Sequence, residues 1–138
     1  DRGTAQASGA AGTGDFAAGS LNDPNSPLSR RVIYFEYDSS EISMEDQDLI
    51  AVHASYLNSH GDQMVTLEGH GDERGSREYN IALGDRRAQT VRRIMELQGV
   101  APGQISIVSY GEEKPAAEGH SEAAWRMNRR VEIIYSGY

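Results

Sequence analysis

Cysteine is absent from the 138 residues, which excludes both a disulfide framework and a thiolate metal site. No apolar run approaches the roughly 18 residues needed to cross a bilayer. The first residues lack a basic start leading into an apolar stretch, so no signal peptide is expected in the sequence as it stands. Basic charge is scarce: 13 Lys and Arg stand against 21 Asp and Glu, for a formal net charge of −8. A phosphate backbone repels such a surface, so nucleic acid is not an expected partner. Catalytic signatures are missing as well. There is no serine in a nucleophile elbow, no glycine-rich phosphate loop and no HExxH pair. Carboxylates are abundant enough to leave acid–base chemistry open as an alternative, but neither enzymatic activity nor a cofactor is expected.

What is present divides unevenly along the chain. Residues 1–29 hold five Gly, six Ala, four Ser and two Thr, and only Phe16, Leu21 and Leu28 as sizeable apolar groups. Such a segment buries too little surface to offset its chain entropy and reads as a disordered tether with a reach of about 30 Å. Residues 30–138 carry the patterning of one folded domain, expected to be monomeric. Val32 to Tyr37 reads as a strand. Ser43 and Asp46 mark a helix start, and Leu49, Ile50, His53, Tyr56 and Leu57 recur at helical spacing to Asn58. Met64 to Glu68 is a second strand. A longer helix from Glu78 to Gln98 follows, with Leu83, Ala88, Val91, Ile94, Met95 and Leu97 on its apolar stripe. Gln104 to Tyr110 is a third strand, Ser121 to Met127 a helical turn, and Arg130 to Tyr135 the last strand. The order β-α-β-α-β-(short α)-β predicts an α+β fold, two main helices packed on one face of a four-stranded mixed sheet.

The chemistry concentrates in Gly69-His70-Gly71-Asp72-Glu73-Arg74-Gly75 and the helix start behind it. Three glycines in seven residues are expected to turn the backbone tightly and admit a ligand close to the main chain. Leu83 and Arg87 share a helical face that points toward the protein, which puts Arg87 at the core edge. There its planar fork can grip a carboxylate, while Asp72 can hold an ammonium, so the pair reads as a site for a zwitterion. The same two residues can equally pair with each other. His70, Asp72, Glu73 and His120 supply metal-type donors on paper, but without a tight histidine spacing no metal is expected. His53 reads as a hydrogen-bonded core histidine, and Tyr79, Tyr110, Tyr135 and Trp125 as core or sheet-face residues. Alternation sends Arg129 and Arg130 to opposite faces, one toward the site and the other toward solvent.

The ordered run Gly-His-Gly-Asp at 69–72, Tyr-Asn at 79–80, Leu83, Arg-Ala at 87–88 and Arg-Arg-Val-Glu-Ile at 129–133 resembles the OmpA-like peptidoglycan-binding domain. Asp-Glu-Arg-Gly at 72–75, Val-Ser-Tyr-Gly-Glu-Glu-Lys-Pro at 108–115, Gly-His-Ser-Glu-Ala-Ala at 119–124 and Asn-Arg-Arg at 128–130 are closer still to the lipoprotein branch of that family. Trp125 departs from it, standing where tyrosine is usual, and Tyr37 stands where phenylalanine is common. The resemblance implies a binding module for the diaminopimelate of the peptidoglycan stem. Asp72 would anchor the ammonium and Arg87 the carboxylate, with Asn80, Leu83, Tyr37 and Asp38 completing the pocket. It also implies a partner, TolB of the Tol complex, and attachment to the outer membrane on its periplasmic face through a lipidated cysteine preceding this sequence. Alanine at 72 or 87 is expected to abolish binding with the fold intact.

Overall fold

Apolar alternation builds the sheet, and two helical stripes cover it. The computed structural model describes residues 21–137. In chain order the elements are β1 Val32–Tyr34, α1 Met44–Ser59, β2 Val65–His70, α2 Arg77–Leu97, β3 Ile105–Gly111, α3 Glu122–Asn128 and β4 Arg130–Tyr135. The strands lie in the order β1-β4-β2-β3. β4 runs antiparallel to both β1 and β2, while β2 and β3 are parallel and joined through α2. The sheet is therefore mixed, as the order of elements predicted.

Ile33, Val65, Leu67, Val131, Ile133 and Tyr135 from the sheet share one core with Leu49, Ile50, Ala54, Tyr56 and Leu57 of α1 and Ala88, Val91 and Met95 of α2. Full burial of each large apolar side chain contributes about 1.5–3 kcal/mol. Ser43 and Ser76 cap the two long helices, each accepting a backbone N–H three residues on. His53 sits in the core, its two ring nitrogens bonded to the Tyr135 hydroxyl (2.6 Å) and the Arg30 carbonyl (2.7 Å). That is the hydrogen-bonded core histidine expected from its place on the α1 stripe.

Several boundaries differ from the sequence reading. β1 ends at Tyr34, opposite the first residue of β4; Phe35 still donates its N–H to the Arg129 carbonyl before the chain turns away at Tyr37. Leu97 drops out of the core and is 80% exposed, since it stands two residues, about 200° of helix turn, from the buried Met95 and so faces the other way. Packed structure also begins earlier than residue 30. Leu21 and Leu28 are buried against the core, Pro27–Ser29 forms one 3-10 turn, and Arg31 donates to the carbonyls of Leu28 and Leu21. Two leucines and one arginine thus fasten a stretch that composition alone assigned to the tether. Residues 1–20 of the expected tether lie outside the described residues.

The register puts the carboxyl ends of β1, β2 and β3 at one end of the sheet, where β4 begins: Tyr34 faces Arg130, Gly69 faces Val131, and His70 faces Gly111. The residues singled out for their chemistry gather at that end. Helix α2 reaches it by a glycine contact. A Cβ on Gly69 would lie 1.8 Å from the Gly84 carbonyl oxygen, and one on Gly84 would lie 2.4 Å from the Ser109 hydroxyl. The first of the three loop glycines therefore serves the approach of helix to sheet. It does not open the backbone to a ligand, which corrects the expectation for that position.

Candidate functional site

At the carboxyl end of the sheet lies a small cleft of about 90 Å³ that opens to solvent. Tyr37, Asp38, Asp72, Asn80, Leu83 and Arg87, the six candidates named from the sequence, all line it. They come from three places: the turn after β1, the loop after β2, and the first three turns of α2. Arg74, Gly75, Tyr79 and Arg129 complete the wall.

Arg87 is the deepest of them and fully buried, with a relative exposure of 0%. Its guanidinium donates to three backbone carbonyls: Nε to Ser39 (2.8 Å), one terminal nitrogen to His70 (2.8 Å) and the other to Glu36 (3.1 Å). One side chain thus ties the turn after β1 to the loop after β2. Of five N–H groups, one on each terminal nitrogen is left uncommitted among the described residues and can serve a carboxylate. Burial lowers its pKa to about 10, the neighbouring Arg129 adding to the effect, so it stays charged at neutral pH. Because Arg87 bridges two loops from the interior, alanine there is expected to cost stability as well as binding.

Asp72 is also buried, at 4% exposure, and its ion pairs go to Arg74 and Arg129 instead of Arg87. Its Oδ1 accepts the backbone N–H of Arg74 (2.9 Å) and the Arg74 Nε–H (3.3 Å); its Oδ2 accepts from the other end of Arg74 (2.8 Å) and from Arg129 (3.3 Å). Burial by itself would raise the carboxyl, but these arginine bonds outweigh it and hold it below the usual carboxylate range. Arg129, the buried residue opening the last Arg-Arg pair, also binds the Phe35 carbonyl (2.9 Å) and Glu122 (2.8 Å). Alternation of the pair was right in part: Arg129 reaches the site. Arg130 does not go to solvent but is buried on the other face, held by Glu132 and the Lys114 carbonyl.

Asn80 donates to the Arg74 carbonyl (3.0 Å) and to Glu112 (2.7 Å), so within the cleft only its oxygen remains available. Leu83 gives an apolar floor. Asp38 is exposed and has a φ of 54°, a left-handed conformation that costs energy for any residue with a Cβ. That strain turns Tyr37 and Asp38 toward the cleft mouth. Two aromatic residues read as core or sheet-face are found at or beside the site instead. Tyr79 is half exposed on the cleft wall, and Trp125 stacks on Arg74. Trp125 missed notice because periodicity on a two-turn helix cannot distinguish an inward face from one turned to a neighbouring loop.

The metal alternative finds no support in the geometry. His70 is buried with its ring against Tyr110, and its nitrogens have no hydrogen-bond partner among the described residues. Glu73 and His120 meet elsewhere, over the entry to α3. Among the described residues no group of three or more His, Asp or Glu could hold a metal ion. No helix among them is long and apolar enough to cross a membrane.

The OmpA family model matches residues 34–129. The peptidoglycan-associated lipoprotein of Pseudomonas aeruginosa is 53% identical over 115 residues, covering 83% of this chain and 68% of that protein. The Legionella pneumophila protein of the same name is 50% identical over 101 residues, 73% of this chain and 57% of its own length. A crystal structure of the peptidoglycan-associated lipoprotein from Burkholderia pseudomallei superposes with a TM-score of 0.83 at 49% identity, covering 85% of this chain and 99% of that one. The C-terminal domain of Helicobacter pylori MotB superposes with a TM-score of 0.72 at 26% identity, covering 79% and 86%.

Proposed function

The chain belongs to the OmpA family, and from that premise we propose that its cleft binds peptidoglycan without cutting it, gripping the diaminopimelate of the stem peptide. One observation carries the reading: a buried cation with two uncommitted N–H groups and a buried carboxylate line the same small cleft beside an apolar floor. Diaminopimelate ends in an ammonium and a carboxylate on one carbon, so a cleft with both charges fixed close together discriminates it from neutral or singly charged groups. Arg87 supplies the carboxylate site. Asp72, with Asp38 at the mouth, supplies the ammonium site. Leu83 takes the methylene chain of the ligand.

The chemistry of the cleft also favours binding over hydrolysis. Cutting this polymer takes a carboxyl of raised pKa as proton donor, a metal-activated water or a nucleophilic thiol, and the chain has no cysteine. Asp72 is held below the ordinary range instead. In the same reading the domain is the periplasmic part of an outer-membrane lipoprotein of the Tol system, with TolB as its protein partner and the N-terminal segment as the link to the membrane. Many weak contacts to one wall then act together by avidity.

Retention on purified sacculi tests the proposal. Asp72→Asn keeps the shape of the side chain and removes its charge. It is expected to lower affinity roughly tenfold, the effect of losing one charge-assisted bond, with an unchanged amide spectrum outside the cleft. No muropeptides should be released during incubation. Undiminished retention of the Asp72→Asn variant would overturn the assignment, and release of soluble fragments would replace a binder with an enzyme.

A further inference from the structure

The Arg74 side chain occupies the place where a ligand cation is needed. Its guanidinium lies between two rings, 4.1 Å from the centroid of Tyr37 and 4.1 Å from that of Trp125. It also meets both oxygens of Asp72. Two aromatic faces and a carboxylate around one cation make a cage of the kind that recognises ammonium groups. Here the chain fills its own cage.

A carboxylate has about four lone-pair positions. On Asp72 two are taken by the Arg74 side chain, one by the Arg74 backbone N–H and one by Arg129. No position is left for an incoming ammonium while Arg74 stays in place. The cage walls do not depend on Arg74. The Trp125 indole N–H donates to Glu73 (2.7 Å), which also bonds His120 (2.6 Å), and the turn that carries Tyr37 is tied down by Arg87. The Arg74 backbone is fixed at both ends too, its N–H on Asp72 and its carbonyl on Asn80. Only the side chain, one-third exposed, is free to leave. Glu122 lies within electrostatic reach of the guanidinium and offers it a partner outside the cage.

We propose that Tyr37, Trp125 and Asp72 form a cation cage closed by Arg74, and that the ligand's ammonium enters by displacing the Arg74 guanidinium. The inference rests on the reading of the cleft as a diaminopimelate site and assigns that site its gate. Arg74 is then a specificity-determining residue. A ligand whose ammonium is blocked meets an occupied cage and a carboxylate with no free lone pair. Because the rings are contributed by Tyr37 and Trp125, the ammonium gains their faces once the guanidinium has gone.

The Arg74 Nε–H resonance reports the state of the cage, since a proton between two ring faces is shifted upfield by their ring currents. The isotope-labelled protein is titrated with a diaminopimelate-containing tripeptide, and separately with the same peptide N-acetylated on the diaminopimelate side chain. With the first, the Arg74 signal is expected to lose its ring-current shift in step with the Asn80 and Leu83 amides. With the second it stays. Arg74→Ala is expected to bind the first peptide on the order of tenfold more tightly and to gain nothing for the second. Arg74→Gln, whose shorter and uncharged side chain removes the guanidinium from the rings and from Asp72, should move in the same direction if the alanine variant loses its fold. An Arg74 signal that stays shifted while the cleft amides respond overturns the gate and leaves the binding site standing, as does weaker binding in both variants. If Asn80 and Leu83 do not respond to either peptide, the diaminopimelate reading falls and the gate falls with it.

Discussion

Replacing Arg87 tests how far the cleft and the fold are one structure. Alanine at this position removes three bonds at once, to the carbonyls of Glu36, Ser39 and His70. The bond to His70 lies in the interior, so that carbonyl is left unsatisfied at a cost of about 1–3 kcal/mol. The other two are partly open and regain water for less. The space vacated by a fully buried side chain packed on Phe35 adds about 2 kcal/mol. Release of the buried charge itself offsets part of this, leaving a net loss of about 3–5 kcal/mol. At about 4 °C per kcal/mol for a domain of this size, the melting temperature should fall by roughly 12–20 °C. Arg87→Lys keeps a charge but reaches one carbonyl at a time, and should fall in between. Thermal unfolding followed by circular dichroism gives the value. A melt within about 3 °C of the parent for Arg87→Ala, less than 1 kcal/mol on that scale, would refute the claim that this side chain ties the two loops together.

The remaining predictions concern parts of the fold that hold the cleft in place. His53 and His70 are both lowered to about 4, mainly by burial, and are therefore neutral when folded. The unfolded chain takes up their protons from about pH 6.5 downward, so stability should fall between about pH 6.5 and 4 and level off below, by up to about 3 kcal/mol for each histidine; melting curves that stay flat over that window would contradict their burial. Gly69→Ala drives a Cβ to 1.8 Å from the Gly84 carbonyl oxygen, whereas the Cβ of Gly84→Ala meets the Ser109 hydroxyl at 2.4 Å, which can shift by giving up its bond to Ile81, and the Gly69 carbonyl oxygen only at 2.9 Å. Both should destabilise, by about 1–3 kcal/mol or more, and urea midpoints should rank Gly69→Ala as the worse. A chain beginning at Arg31 loses the burial of Leu21 and Leu28 and should be about 3–6 kcal/mol less stable than one beginning at Leu21. Equal urea midpoints would return those residues to the tether.

Much of this architecture was legible before any coordinates. Val131, Ile133 and Tyr135 alternate cleanly, α1 carries a capping serine, both α1 and α2 have broad stripes, and the glycine-rich loop after β2 is plain in the sequence. Periodicity speaks for such elements because one burial pattern decides each of them. The six candidate residues share one cleft because they sit at the ends of strands and on the first turns of one helix, positions the order of elements already brings together. What could not be read was pairing. Asp72 had several candidate cations along the chain, and only the fold selects Arg74 and Arg129 over Arg87. Likewise the bonds of Arg87 go to backbone carbonyls, which leave no trace in side-chain composition. The early start of the domain escaped notice because two isolated leucines among small and polar residues have no period. Their burial depends on packing against α1 and the core it covers.

A chemical-shift titration with two muropeptides, alike except that one carries diaminopimelate and the other lysine, measures the discrimination that defines this cleft. Lysine presents the ammonium without the neighbouring carboxylate, so Arg87 finds no partner in it. Saturable shifts confined to the loop at 71–75 and to Asn80, Leu83 and Arg87, at least roughly tenfold tighter for the diaminopimelate peptide, are the expected result. Equal affinity for both peptides, or shifts centred on another part of the surface, would contradict the account.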